Sequence, residues 1–245
     1  MVASSVVAQD VALERPADLE FVRDNAGMID EADSQHIREI CRNLLAEKAT
    51  PIIVVTIDSM AKHGGKGQSI EKFATQLFDR WQIGHARLGK TEWNTGILLL
   101  ISKGDRKARI ELGAGWGRSE NVLCQSIMDD HIIYHFKQGN FSTGIVAGVE
   151  ALDKMGRKLT IPSQPRPWWH YAAVVGAIGL GVFTIVSLQR SGANGWAWLF
   201  WGVVFSIIGL VLYNMLTSSS SSSSSGFGSS YGGGSSGGGG ATGSW

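Results

Sequence analysis

Two apolar stretches near the C-terminal end, Tyr171–Leu188 and Trp196–Leu216, constrain this chain more than any other feature. Neither contains an acidic or basic residue. Each is long enough to cross a hydrocarbon core, for which about 17–25 apolar residues suffice. Only the short segment 189–195 separates them, so residues 171–216 are expected to form a two-helix transmembrane hairpin. Trp168, Trp169, Trp196, Trp198 and Trp201 stand where such spans would meet the membrane interface, a position that suits amphipathic rings. A hairpin returns the chain to the side it left, which puts the sequence before residue 171 and after residue 216 on one face of the membrane.

The hairpin divides the chain into an N-terminal segment (1–16), a folded domain (17–158), a linker (159–170), the hairpin itself (171–188 and 196–216) and a Ser/Gly-rich tail (217–245). Val6-Val7-Ala8 resembles the small-residue end of a signal-peptide cleavage region, so residues 1–16 read as a signal-peptide remnant. The tail carries a serine run and glycine runs, with Phe227, Tyr231 and Trp245 as its aromatics. Such a composition buries too little apolar area to offset the entropy of ordering, and disorder is expected. A tryptophan at the extreme end suits a membrane interface or a partner.

Two signals of orientation conflict. Lys154, Arg157, Lys158 and Arg166 precede the first span, whereas Arg190 alone lies between the spans, and this bias favours a cytoplasmic domain. A cleaved signal would fix the domain outside before the hairpin was read. Export is the expectation adopted.

Within residues 17–158, periodicity predicts a layered α/β domain. A short strand, Phe21–Asp24, enters an Asn25-Ala26-Gly27 turn. Asp30 caps a helix reaching Lys48, with Ile37, Ile40, Cys41, Leu44 and Leu45 on one face. Ile52–Ile57 is uninterruptedly apolar, as a strand buried on both faces would be. Ile70, Phe73, Ala74, Leu77, Phe78 and Trp81 form the stripe of a second helix. Ile97–Ile101 is another buried strand, and Lys103-Gly104-Asp105 turns into a strand alternating Ala108, Ile110 and Leu112 with Lys107, Arg109 and Glu111. Helices follow near 120–137 and 143–157. The result is a three-layer α/β/α sandwich with a mixed sheet.

With 22 Lys+Arg against 21 Asp+Glu and no basic cluster in the domain, nucleic acid is excluded as a partner. Cys41 and Cys124 lie among apolar neighbours, as buried free thiols would, and neither zinc nor redox spacing is present. His63–Ser69 (HGGKGQS) lacks the GxxxxGK[ST] spacing, and Gly113–Gly117 (GAGWG) misses GxGxxG, so no nucleotide site is expected. His131 and His135 are four apart, but no glutamate adjoins the first as a zinc helix needs.

Strand ends and adjoining loops hold the candidate ligands. Asp24, Asn94 and Asp129 are hard oxygen donors suited to Ca²⁺ or Mg²⁺ if they converge. Arg109 and Glu111, on one face of their strand, are a candidate supporting pair. Turn chemistry gives Asp24 and Asn94 a competing explanation, and Arg109 with Glu111 can be an exposed pair contributing at most about 1 kcal/mol.

Six segments together carry a resemblance: Val22–Gly27 (VRDNAG), Ile52–Ile57 (IIVVTI), Phe78–Gly84 (FDRWQIG), Asn94–Ile101 (NTGILLLI), Asp105–Gly117 (DRKARIELGAGWG) and Phe136–Leu152 (FKQGNFSTGIVAGVEAL). The chain resembles the TPM-domain family, and its hairpin and Gly/Ser tail are similar to bacterial membrane-anchored members. That resemblance implies an α/β sandwich outside the cytoplasm, tethered to a bacterial inner membrane, that binds or assists membrane or envelope proteins. It also implies divalent-cation binding, calcium especially, and as an alternative a metal-assisted acid phosphatase. Ser119, Glu120 and Asn121 depart from the more acidic run that follows the Trp-Gly-Arg segment in similar sequences.

Overall fold

A computed structural model describes residues 13–158, Trp201 and 232–245. Both apolar runs, Trp201 apart, lie outside the described residues, as do residues 1–12, the linker and the first half of the tail. Among the described residues no helix is long and apolar enough to cross a membrane. The chain divides into two compact units, one formed by 1–162 with 226–245 and the other by 163–225.

The first unit is built on a five-stranded sheet. The strands are β1 (Val22–Asp24), β2 (Ile52–Ile57), β5 (Ile97–Ser102), β6 (Lys107–Gly113) and β7 (Ser236–Ser244), in the order β1-β2-β5-β6-β7. The first three run parallel; β6 is antiparallel to β5, and β7 antiparallel to β6. The sheet is therefore mixed, as the Lys103–Asp105 turn requires. A separate two-stranded ribbon pairs β3 (Arg87–Leu88) with β4 (Thr91–Glu92).

The central strands form because their residues, Ser102 apart, are β-branched or leucine, and all are covered on both sides. Every residue of β2 and β5 is buried. On one face lies α2 (Ile70–Trp81), capped by the Ser69 side chain, which accepts from the Lys72 amide. All six residues of its expected stripe are buried. At about 1.5–3 kcal/mol per large side chain, that burial contributes on the order of 10 kcal/mol against the entropy of ordering.

The other face is covered by α1 (Glu31–Lys48), α3 (Arg118–Ser126), a π segment (Ile127–Ile133), α4 (Tyr134–Phe136) and α5 (Phe141–Arg157). Gly156 of α5 sits against the Leu44 side chain of α1, where a Cβ would come within 3.0 Å. Ser142, in the first turn of α5, bonds both the Asp30 amide at 3.0 Å and the Asp33 carboxylate at 2.5 Å, tying the start of α5 to the start of α1.

Two boundaries differ from the sequence reading. Leu13 is buried, and its carbonyl accepts from the Trp81 indole at 3.3 Å, so the domain begins before residue 17. The larger correction concerns the tail. Residues 236–244 are not disordered but form the edge strand β7. Composition misleads here because an open sheet edge supplies backbone hydrogen bonds to a segment with few side chains of its own.

Cys41 and Cys124 are both free and buried. Burial pushes the Cys41 thiol far up and the Cys124 thiol up to about 12. Since the thiolate is the reactive form, neither is expected to react with a thiol reagent at neutral pH until the domain unfolds. Labelling across a urea series checks this: modification should appear with unfolding, not before it.

Candidate functional site

The predicted cation ligands occupy different places. Asp24 closes β1 in register with Thr56 of β2, which is itself in register with Ile101 of β5. Asn94 precedes Ile97, at the opposite end of the same parallel strands. Four residues of strand alone separate those levels by about 13 Å. Asp129 lies exposed on the π segment, accepting from Gln125 at 2.9 Å. The three do not share one ion. Among the described residues no group of three or more His, Cys, Asp or Glu is placed to hold a metal.

Asp24 is instead the hub of the turn after β1. Its carboxylate accepts from the Met28 amide at 3.0 Å, the Ile29 amide at 2.9 Å and the Thr56 hydroxyl. Thr56 in turn accepts from the Ala26 amide at 3.1 Å. Asp24 also lines an open cleft of about 500 Å³ with Glu20, Arg23, Asn25, Glu31 and Arg38. That position, beyond the carboxyl ends of parallel strands, is where open α/β sheets receive ligands.

The other expected residues, Asn94, Arg109 and Glu111, converge on something the sequence did not suggest. They hold the tail. Asn94 adopts a left-handed backbone (φ 42°). Its side-chain amide donates to the Ser235 carbonyl at 2.8 Å, and its side-chain oxygen accepts from the Ser235 amide at 3.1 Å. This reciprocal pair imitates one rung of a β ladder. Next to it the Ser236 amide donates to Asp79 of α2 at 2.6 Å, and the Gly234 amide donates to the Gly84 carbonyl at 3.1 Å.

Arg109 and Glu111 are not an exposed pair: Arg109 is 7% exposed and Glu111 fully buried. The alternation along β6 does put them opposite Ile110, but their face is roofed by α2 and flanked by β7. Arg109 grips one Glu111 oxygen through Nε at 2.8 Å and a terminal nitrogen at 2.7 Å. The other oxygen accepts from Thr75 of α2 at 2.9 Å and from the Ser236 hydroxyl. Arg109 donates further to the Gly239 carbonyl at 3.1 Å and to the Thr242 hydroxyl at 3.3 Å. The tail thus contributes Ser236, Gly239 and Thr242 to the hydrogen bonding of a buried ion pair.

The Thr242 hydroxyl in turn donates a hydrogen bond to the Glu71 carboxylate of α2 at 2.8 Å. Partial burial works against the Glu71 carboxylate, yet its backbone hydrogen bond and the Thr242 and Ser69 hydroxyls outweigh it and hold the group below the usual glutamate range. This contribution is present above the ordinary glutamate pKa of about 4.3 and is lost as pH falls through the lower folded-state value.

On the opposite face the strand packs through its lack of side chains. A Cβ at Gly243 would lie 2.6 Å from the Ile133 side chain and 2.7 Å from that of Met128. Both belong to the π segment. Asn121 of α3 accepts from the Gly240 amide at 2.8 Å. After the strand, Trp245 packs against Phe136 (ring centroids 4.7 Å apart, edge-on) and Phe141 (6.1 Å). Edge-on aromatic pairs contribute about 0.5–1.5 kcal/mol each beyond area burial. The site missed by sequence reasoning is therefore the edge of β6, and the signal available was Trp245, a large aromatic after a Gly/Ser run.

The TPM-domain family model matches residues 22–155. Among solved structures, the N-terminal domain of a protein from P. gingivalis is 27% identical, with 56% of this chain and 81% of that chain covered at a TM-score of 0.47. The N-terminal domain of a protein from Corynebacterium glutamicum is 15% identical, with 68% and 95% covered at a TM-score of 0.43. No curated protein matches the chain. With more than half of its length matched by the family model, the chain belongs to the TPM-domain family.

Proposed function

We propose that this chain is a membrane-anchored TPM module, its domain and tail on the outer side of a bacterial inner membrane, where it binds or assists membrane or envelope proteins. The observation that carries the reading is β7. It follows both apolar runs in sequence, yet it is hydrogen-bonded to β6, which precedes them. A strand cannot pair through a bilayer, so the chain between residues 158 and 232 crosses any membrane an even number of times. Two runs of spanning length supply two crossings. The role of binding or assisting such proteins rests on family membership and on the open cleft beside Asp24. The alternative, a metal-assisted acid phosphatase with Ca²⁺ or Mg²⁺, gains nothing from the positions of Asp24, Asn94 and Asp129.

Impermeant thiol labelling of intact spheroplasts tests the placement. Because Cys41 and Cys124 are buried, the exposed Val122 (76% exposed) can carry a reporter as Val122→Cys. It should be labelled from outside, and Ser191→Cys, between the runs, only after lysis. The reverse pattern would turn the module to face the cytoplasm and remove envelope proteins from its reach.

A further inference from the structure

The groove that receives the tail is selective, and its selectivity is what gives it a use beyond closing the sheet. At Gly240 (φ 126°) a Cβ would stand 1.9 Å from the Ile110 carbonyl oxygen, and at Gly243 it would enter the π segment. At Ser236 and Thr242 the groove presents carboxylates, Glu111 and Glu71, to small hydroxyls. Beyond the strand it presents two phenylalanine rings to one tryptophan. Backbone pairing supplies affinity and these positions supply specificity, as in other cases where an extended peptide is added to a sheet edge.

The connection to β6 adds a second observation. β6 ends at Gly113 and β7 begins at Ser236, so no tight turn holds the two strands together. The same contacts form whether the strand comes from one chain or another. Exchanging an identical element between copies costs little beyond association, because the interface is unchanged.

We propose that the β6 edge, with Asn94 at one end and Phe136 and Phe141 at the other, is a recognition site for an extended glycine-rich peptide followed by a tryptophan. Its resident ligand is the chain's own segment 232–245, and a neighbouring copy supplies the same segment in exchange. Close-set copies in a membrane are thereby linked through their tails. The sheet edge works in this way whichever side of the membrane the module faces.

Cross-strand cysteines test it with the full chain in detergent or nanodiscs. Lys107 and Ser244 are directly opposed in the ladder, and opposed antiparallel residues have Cα separations of about 4.5–5.5 Å, within disulfide range. Carried together in one chain, Lys107→Cys and Ser244→Cys should form an intramolecular disulfide. Carried on separate chains that are mixed, they should form a disulfide-linked dimer whose yield rises with concentration. A synthetic peptide of residues 232–245 should suppress that dimer, and the same peptide with Trp245→Ala should need at least about tenfold more to do so, the equivalent of about 1.4 kcal/mol. Dimer insensitive to the peptide would be random collision and would overturn the proposal. So would intramolecular disulfide with no dimer at any concentration, which would make β7 a permanent strand. Failure of the intramolecular disulfide itself would contradict the placement of β7, overturning this proposal and removing the strand pairing that supports the membrane reading, whereas a failed spheroplast labelling pattern would leave β7 in place.

Discussion

Replacing Glu111 by alanine should destabilise the domain by about 3–5 kcal/mol, the cost of leaving a buried charge without its partner. Arg109 would keep its hydrogen bonds to Gly239 and Thr242 but lose the carboxylate it grips. Against a typical domain stability of about 5–15 kcal/mol, that is a large fraction. Limited proteolysis of the full chain at low protease in a urea series reads it, because cleavage slower than reclosing tracks the population of the open form. Replacing both members together, Arg109→Met with Glu111→Leu, should cost much less, since no charge is then left buried. Equal losses in the single and double variants would show that packing under β7, and not the charge pair, governs this region. A loss below about 1 kcal/mol in Glu111→Ala would return the pair to the exposed class the sequence suggested.

The second large effect is expected at Gly240. Gly240→Val asks a β-branched residue to adopt φ 126° and puts its Cβ 1.9 Å from a backbone oxygen that cannot move without breaking β6. Incompatible backbone conformation alone costs more than about 1 kcal/mol, and the clash excludes the docked strand altogether. The variant should behave as if the tail were removed: residues 232–245 become open to protease, and the Arg109–Glu111 pair loses Ser236, Gly239 and Thr242. Gly238→Ala is the matched control, with a left-handed φ of 67° but nothing within 4 Å of the new Cβ. It should cost about 1–2 kcal/mol of backbone strain and leave the strand in place. Equal protease sensitivity in the two would show that glycine serves here only for its conformational freedom.

Much of the domain was legible because its elements are strongly periodic. The α2 stripe from Ile70 to Trp81 and the uninterrupted Ile52–Ile57 run admit one reading each, and both took it. The mixed sheet followed from a short turn at Lys103–Asp105, which leaves no room for a crossover helix. The failure lay at β6. Alternation correctly put Arg109 and Glu111 on one face, but nothing local reveals whether such a face meets water or a roof. Here α2 and a strand from the far end of the chain cover it.

The strand in the tail escapes the sequence for a related reason. The small apolar area that a Gly/Ser segment buries predicts disorder, a sound argument for an isolated segment. It omits what an unpaired edge offers, namely backbone donors and acceptors that need no side chains. In such a groove glycine is demanded by the neighbours, as Ile110 demands it at 240, rather than being a mark of freedom. Asn94 shows the same limit. Its side chain suits a hard oxygen ligand, yet its amide serves as a substitute for a strand partner. The chemistry of the residue is legible in the sequence; its partner is not.

Amide hydrogen exchange over the last residues tests most directly whether the C-terminal segment is the fifth strand of this sheet. Ser235, Ser236, Gly240 and Trp245 donate to Asn94, Asp79, Asn121 and the Arg106 carbonyl respectively. In the intact chain these amides should exchange far more slowly than in a free peptide of the same sequence, and Gly240→Val should release them together. Exchange at the free-peptide rate in the intact chain would leave β6 as an open edge and contradict the account.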